Sequence, residues 1–263
     1  IFVESIEEVP KGSRAIFSAH GVSPEVWEEA AARSLQILDA TCPLVTKVHQ
    51  EAVRYARKDY TVILVGHEGH DEVIGTLGEA PDQIRLVTTV EDVQSLEVAD
   101  PNRVAYITQT TLSLRDTREV LDALRKRFPA VEGPPSEDIC YATQNRQEAV
   151  VELARVVDLV LVVGAENSSN SQRMVEESRR EGTPAYLVND LNAIQEEWLV
   201  EVGTLGLTSG ASAPESLVRE ITDLFQNQGA VVEDLVLRRE EVHFPLPSNL
   251  QDDLEKRESV SSS

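Results

Sequence analysis

Two cysteines are the residues of this sequence best suited to metal or redox chemistry. Cys42 stands directly before Pro43, and Cys140 closes the run Asp138-Ile139-Cys140; each precedes a stretch with a helical pattern. A thiol at a helix N-terminus has its thiolate favoured by the helix dipole, as a metal ligand or a nucleophile requires. A single cysteine at such a place is more often a small buried residue at a tight turn. The repeated placement favours a ligand role.

A second group of reactive side chains follows an apolar strand. The loop Gly66-His67-Glu68-Gly69-His70-Asp71-Glu72 gathers imidazoles and carboxylates, which suit a metal site or an acid–base pair. Two histidines three positions apart without a third clear ligand are a weak zinc signal. A zinc hydrolase that uses His67, His70 and Glu72 therefore stays open as an alternative.

Hydroxyl and amide side chains form a third group. Ser168, Ser169, Asn170 and Ser171 stand before a predicted helix near Gln172, where side chains and free backbone N–H groups can hold a phosphate. Taken alone, such a loop is usually a turn with a helix cap. His20, in a loop after another strand, is by itself more often a capped or solvated histidine than a ligand.

The elements that carry these residues repeat along the chain. Residues 42–66 and 140–164 both contain a cysteine, a helical stretch and a buried strand, and both are followed by a polar loop. Further matching blocks are residues 84–93 with 185–194, and 106–113 with 206–212. Residues 1–9 and 16–23 match only these later blocks. The pattern predicts two full units preceded by a partial one, with a further cysteine upstream of Ile1; we expect that the N-terminus is missing.

Alternating strands and helices predict an α/β fold of three small, pseudo-threefold-related domains with mainly parallel sheets around a central site, the first domain being incomplete. The predicted boundaries are 1–41 for the partial first unit, 42–139 for the second, 140–235 for the third, and 236–263 for a C-terminal strand and a disordered tail. Predicted strands include residues 1–3, 15–18 and 230–237, and a helix is predicted over 24–33. Loops at the strand ends would bring the candidate residues into one pocket, including Thr110 and Ser212.

Charge limits the possible partners. Lys and Arg number 24 against 46 Asp and Glu, for a net charge of −22, so neither nucleic acid nor an anionic membrane surface is expected as a partner. An anionic ligand must be held by local features. Two cysteines in 263 residues make no disulfide framework and indicate a reducing compartment. No apolar run is long enough to cross a bilayer.

Several ordered motifs resemble one known family, the 4-hydroxy-3-methylbut-2-enyl diphosphate reductases of the LytB/IspH type. The resemblance runs from residue 1 to about residue 247. The motifs are Phe17-Ser-Ala-His-Gly-Val-Ser23, Asp39-Ala-Thr-Cys-Pro-Leu-Val-Thr-Lys-Val-His49, Gly66-His-x-Gly-His70-x-Glu72-Val-x-Gly-Thr76, Thr108-Gln-Thr-Thr-Leu-Ser113, Asp138-Ile-Cys-Tyr-Ala-Thr143, Asn167-Ser-Ser-Asn-Ser171 and Gly210-Ala-Ser-Ala-Pro214.

The resemblance implies the last step of non-mevalonate isoprenoid biosynthesis, in which an allylic diphosphate loses its hydroxyl by reduction and yields isopentenyl and dimethylallyl diphosphate. It implies three α/β domains around a [4Fe–4S] cluster held by three cysteines, two of them Cys42 and Cys140, with one iron open to the substrate. It also implies a ferredoxin- or flavodoxin-like electron donor.

The same resemblance implies roles for the other candidates. Glu72 would supply protons and Thr110 would orient the leaving hydroxyl. His20 and His70 would bind the diphosphate or line the site. The remaining diphosphate ligands would be Ser168, Ser169, Asn170 and Ser212.

The family's first cysteine motif has no counterpart in this sequence. We therefore expect the full-length parent to be the reductase and the chain as given to bind cluster poorly and turn over little. A cluster-free diphosphate-binding α/β module is the alternative from another class. The expected location is the cytoplasm, or the plastid stroma if a transit peptide preceded Ile1.

Overall fold

The computed structural model describes residues 1–247 and Leu250. Strands β1 to β8 comprise Arg14–Phe17, Gln36–Asp39, Thr61–Val65, Ile84–Val87, Val104–Thr108, Leu159–Val163, Ala185–Val188 and Leu205–Ser209. Helices α1 to α8 comprise Pro24–Ala32, Pro43–Ala56, Asp71–Leu77, Val90–Ser95, Leu114–Arg127, Tyr141–Ala154, Ser169–Arg180 and Glu215–Asn227. Three 3-10 helices comprise Ile6–Glu8, Leu191–Ala193 and Glu196–Leu199.

Every pair of neighbouring strands in these sheets is parallel, which confirms the predicted α/β class. β1 pairs with β2; a second sheet has the order β4-β3-β5, and a third has the order β7-β6-β8. The second and third sheets place equivalent strands in the same order, as the sequence repeat requires. Their central strands, β3 and β6, are runs of mostly β-branched residues buried almost throughout, as expected for strands covered on both faces.

Contacts divide the chain into two compact units. The first contains residues 1–110, 118–138 and the described residues from Glu241 onward; the second contains 111–117 and 139–240. The first unit holds the β1-β2 and β4-β3-β5 sheets, and the second holds β7-β6-β8. The boundaries predicted at residues 41/42 and 139/140 for three domains stay predictions.

Helix α2 shows how the sequence sets the local structure of the first unit. Pro43 occupies its first turn, where the missing N–H is not needed, and Cys42 is the N-cap residue. Val48, Ala52 and Tyr55 recur at helical spacing and pack on the buried residues of β3 and β5. The end of the helix that carries the cysteine is thereby fixed against the sheet.

Three local predictions were wrong. Residues 1–3 and 230–237 form no strand in the described chain, and α7 begins at Ser169 rather than near residue 172. Apolar side chains in the two former segments are largely exposed, for example Ile1 at 121% and Val231 at 87%. A β-rich composition specifies a strand only where a partner strand and a packed face are present. The predicted disordered tail lies mostly outside the described residues.

Within the part of the chain that the structure describes, no helix combines the length and the apolar character that a transmembrane span needs.

Candidate active site

Most candidate residues follow the carboxyl ends of parallel strands, where open α/β sheets bind ligands. In the first unit, His20 follows β1, Cys42 follows β2, His70 and Glu72 follow β3, and Thr110 follows β5. In the second unit, Ser168, Ser169 and Asn170 follow β6, and Ser212 follows β8.

Glu72 and Thr110 form a buried pair in the first unit. Glu72 lies in the first turn of α3 and is 1% exposed. Its Oε1 accepts the Thr110 backbone N–H at 2.7 Å, and its Oε2 accepts the Thr110 hydroxyl at 2.9 Å. Burial raises the pKa of Glu72 to about 7, although both Thr110 hydrogen bonds lower it. Near neutral pH this carboxyl can therefore both give and take a proton.

His70 is the N-cap residue of α3. Its Nδ1 accepts the Glu72 backbone N–H at 3.2 Å, so the proton of the neutral ring is on Nε2. Burial lowers the pKa of His70, neighbouring His20 lowers it further, and Asp71 raises it. His70 is thus a neutral ring near pH 7 with one N–H available as a hydrogen-bond donor.

The structure brings His20 and His70 together. Their ring centroids are 5.4 Å apart with the planes nearly perpendicular. His20 Nδ1 lies 3.6 Å from an Asp71 carboxylate oxygen and 3.4 Å from the Ser18 hydroxyl. His20 is in the loop after β1 and His70 in the loop after β3, so the loops of the two sheets of this unit meet at these rings.

Cys42 is a free thiol at the N-terminus of α2. Its backbone N–H donates to the carbonyl of Ala19 at 3.0 Å, which ties the cysteine to the residue before His20. The Cys42 sulfur makes no capping hydrogen bond to the helix. The Cys42 thiol therefore holds no backbone N–H of its own helix.

Cys140 occupies the matching position at the N-terminus of α6 in the second unit. Unlike Cys42, its sulfur accepts the Thr143 N–H at 3.2 Å and lies 2.9 Å from the Thr143 hydroxyl. Cys140 therefore serves as the N-cap residue of α6 through its sulfur. The repeat in the sequence predicts both cysteines but not this difference, because the residue equivalent to Thr143 is Val45 in α2.

The serine-rich loop of the second unit caps α7. Ser168 accepts the Ser171 backbone N–H at 3.4 Å and its hydroxyl at 3.0 Å, and Ser169 donates to the carbonyl of Thr111 at 3.2 Å. Asn170 is 5% exposed, and its Oδ1 has no partner among the described residues. The Asn170 amide is therefore buried at a helix N-terminus with capacity left for a ligand.

Two glycines let this loop pack against the strand ends. A Cβ atom on Gly164, after β6, would lie 2.2 Å from Ser171 Oγ, and one on Gly210, after β8, would lie 2.1 Å from it. Any side chain at either position would displace Ser171. Ser212, two residues beyond Gly210, is exposed.

The arrangement does not favour the zinc hydrolase alternative. His70 Nδ1 caps α3, and both Glu72 oxygens accept hydrogen bonds from Thr110. Over residues 1–247 and Leu250, no three His, Cys, Asp or Glu side chains are grouped as metal ligands.

Sequence reasoning missed the contact of Lys47 with Asp138 in the first unit. The Lys47 ammonium donates to Asp138 Oδ1 at 2.9 Å and to the carbonyls of Ser136 and Glu137. Asp138 also accepts the Thr108 N–H at 2.9 Å. Burial raises the pKa of Asp138, against the lowering effect of Lys47. The two residues are 91 positions apart, so only the position of Asp138 shortly before a cysteine could have indicated the contact.

The fold and the site together define a class of protein. Its members are parallel α/β proteins built from a sequence repeat, with a buried acid, paired histidines and a hydroxyl-rich helix N-terminus. The LytB protein family matches residues 1–226. The 4-hydroxy-3-methylbut-2-enyl diphosphate reductase of Streptomyces coelicolor is 53% identical over the whole chain, which covers 78% of that protein. The reductase of Nitrosomonas europaea is 50% identical over 94% of this chain and 80% of its own length.

Solved structures agree with the sequence matches. The E-1-hydroxy-2-methyl-but-2-enyl-4-diphosphate reductase of Plasmodium falciparum superimposes with a TM-score of 0.94 at 38% identity, covering 98% of this chain and 82% of that one. A second structure, of (E)-4-hydroxy-3-methyl-but-2-enyl diphosphate reductase, gives a TM-score of 0.58 at 31% identity over 85% of this chain and 79% of that one. The chain belongs to the LytB family.

Proposed function

We propose that this chain belongs to an enzyme that carries out the reductive dehydroxylation of 4-hydroxy-3-methylbut-2-enyl diphosphate. The C–O bond of the allylic alcohol breaks, two electrons and two protons are consumed, and water leaves with isopentenyl or dimethylallyl diphosphate as the product. The observation that carries the proposal is the buried Glu72–Thr110 pair, found in a chain whose relatives bear the name of this reductase.

Glu72 is the group proposed to deliver protons. Its pKa of about 7 leaves a substantial protonated fraction at neutral pH, which an ordinary glutamate does not have. A protonated Glu72 would convert the leaving hydroxyl into water. Thr110, whose hydroxyl reaches the same carboxylate, would orient that hydroxyl and relay the proton.

The diphosphate is proposed to be held by the histidine pair and by the serine-rich loop. His70 offers an Nε2–H donor, and His20 lies against it. In the second unit, the N-terminus of α7 provides Ser168, Ser169 and Asn170, and the β8 loop provides Ser212. Oriented N–H groups and hydroxyls bind an anion without positive side chains, as a protein with a net charge of −22 needs.

Cys42 and Cys140 are proposed as thiolate ligands of a [4Fe–4S] cluster. Both are free, and both lie at helix N-termini, where thiolates are stabilised. When bound, the cluster supplies the two electrons of the reduction. A ferredoxin- or flavodoxin-like protein is the proposed source of those electrons, and the cytoplasm the proposed location, which agrees with two free thiols.

Turnover after anaerobic reconstitution tests the proposal, with a reduced viologen dye as the electron donor. The assay is run on this chain beside its Glu72→Gln and Cys42→Ser variants. Glu72→Gln is expected to lower the rate at least about 100-fold while iron and sulfide content stay unchanged, because only the proton donor is removed. Cys42→Ser is expected to lower the iron content as well. Turnover by Glu72→Gln at the unmodified rate would disprove the role of Glu72.

A further inference from the structure

A cavity of about 700 Å³ lies in the first unit, outside the group of candidate active-site residues. Its walls come from α1, the loops after β1 and β2, and the length of α2. None of the residues assigned above to cluster, proton or substrate lines it. The volume is in the range of sites for organic ligands.

Three cations line one end of the cavity: Arg54, Arg57 and Lys58. All are exposed, and none has an ion-pair partner within the described ranges. Cations stabilise the C-terminal end of a helix, and these three lie at the end of α2. That effect explains their position; of the three, only Arg54 has a further contact in the described chain, over the Tyr55 ring at 4.8 Å and with the charge of Glu51.

The two carboxylates in the same walls are already engaged. Asp39 Oδ1 accepts hydrogen bonds from the backbone N–H and the hydroxyl of Thr41. Glu79 Oε1 lies 2.8 Å from His49 Nδ1. Both acids bond within the wall, and the walls carry three cations against these two carboxylates, so the cavity favours an anion.

Two further wall residues point to an organic ligand. His49 Nε2 is buried and has no hydrogen-bond partner in the described chain. Trp27 packs against Phe17 at 4.8 Å between ring centroids, with 42% of the tryptophan exposed. A buried nitrogen without a partner, an exposed aromatic ring and three cations in the walls of one cavity are features of a site for a molecule with a charged end and an apolar or planar end.

We propose that this cavity binds an organic diphosphate. The diphosphate contacts Arg54, Arg57 and Lys58, the apolar or planar part lies on Trp27, and a polar group of the ligand hydrogen-bonds to His49 Nε2. His49 and Arg57 are eight positions apart along α2, about 12 Å at the rise of an α-helix, which is longer than inorganic pyrophosphate. The site shares no residue with the proposed reductase site, although Gly21 and Thr41 adjoin His20 and Cys42, and it does not depend on reductase activity.

Tryptophan fluorescence of the full chain tests the proposal directly. The chain has two tryptophans, and Trp198 stacks on Tyr186, so Trp198→Phe leaves Trp27 as the reporter and retains a ring in the stack. Geranyl diphosphate, ADP and inorganic pyrophosphate are titrated. A saturable change with at least one organic diphosphate, at an affinity above that of pyrophosphate, is expected; the preferred ligand shows whether the apolar part is a prenyl chain or a base. Equal affinity for pyrophosphate, or no binding, overturns the proposal.

Three variants locate the binding site. Arg54→Gln/Arg57→Gln/Lys58→Gln is expected to weaken binding at least about tenfold, because charge-assisted hydrogen bonds to phosphate are lost. The matched variant Lys11→Gln/Arg118→Gln/Lys126→Gln removes three exposed cations outside the cavity and is expected to bind normally. Ser168→Ala/Asn170→Ala is also expected to bind normally. If that variant loses binding, or the first one keeps it, the proposed site is wrong.

Discussion

Both carboxylate oxygens of Glu72 accept hydrogen bonds from one residue, Thr110: one from its backbone N–H at 2.7 Å and one from its hydroxyl at 2.9 Å. The pair fixes the orientation of a carboxyl that is 1% exposed. Burial raises the pKa of Glu72 from 4.5 to about 7 despite these bonds, so the site holds a proton that an exposed glutamate would release.

This pKa shift predicts a pH dependence of stability. The folded state binds the Glu72 proton more tightly than the unfolded state, so the contribution is fully present below pH 4.5 and is lost as the pH rises to about 7. The shift corresponds to about 3 kcal/mol in the free energy of unfolding. Glu72→Gln removes this loss, because the amide is neutral at every pH. Urea unfolding at pH 5 and pH 8 should show the variant gaining stability over the unmodified chain as the pH rises.

Thr110 variants test the origin of the same effect. Thr110→Ser keeps both hydrogen bonds and should leave the pH dependence unchanged. Thr110→Val loses the hydroxyl donor, which should raise the pKa of Glu72 further and extend the loss of stability to higher pH. An identical pH profile for the serine and valine variants would mean that the hydroxyl does not interact with the carboxylate in solution.

His70 combines two roles that substitution can separate. As the N-cap residue of α3, it accepts the Glu72 N–H; as a ring, it offers the proposed donor to diphosphate. His70→Ala should cost about 1 kcal/mol of stability, whereas His70→Asn, a good capping residue, should cost less. Both variants should raise KM for the diphosphate substrate, because neither has the ring. A normal KM in His70→Asn would assign the residue to capping alone.

The Lys47–Asp138 contact predicts a large stability effect within the first unit. The Asp138 side chain is fully buried, and Lys47 is its cationic partner. Lys47→Met should destabilise the protein by about 3 to 5 kcal/mol, since it leaves a buried carboxylate without its counter-charge. The cost should shrink at low pH, because burial raises the pKa of Asp138 and protonation removes the charge.

A second substitution provides the control for Lys47. Lys47→Met/Asp138→Asn removes the Asp138 charge together with its partner, leaving the Glu51 carboxyl near position 47 as in the single variant, and the asparagine oxygen can still accept the Thr108 N–H. Urea midpoints should therefore rank the double variant above Lys47→Met. If the double variant is the less stable of the two, the charge is not the cause of the defect.

The accuracy of the sequence predictions follows from the range of the interactions. Short-range signals were sufficient for β3, β6 and the starts of α2 and α6, because a buried β-branched run and a cysteine at the N-cap are local features. They failed for residues 1–3 and 230–237, where only pairing with another strand decides the structure. Motif resemblance identified Glu72 and Thr110 as candidates, but their mutual hydrogen bonds depend on residues 38 positions apart and required the structure. The Lys47–Asp138 contact was missed for the same reason.

The two glycines around Ser171 predict a selective rescue in the second unit. Ser171 is fully buried, and its hydroxyl bonds to Ser168, so Gly210→Ala and Gly164→Ala should each cost about 1 to 3 kcal/mol by displacing it. A Cβ atom added at position 210 would clash only with Ser171 Oγ, because the Ser171 Cβ is 3.4 Å away. A Cβ atom added at position 164 would also clash with the Ser171 Cβ, at 2.7 Å. Ser171→Ala should therefore relieve Gly210→Ala but not Gly164→Ala. Double-mutant cycles from urea unfolding measure this coupling. Equal rescue of both would show that the loop moves as a whole rather than clashing at a single atom.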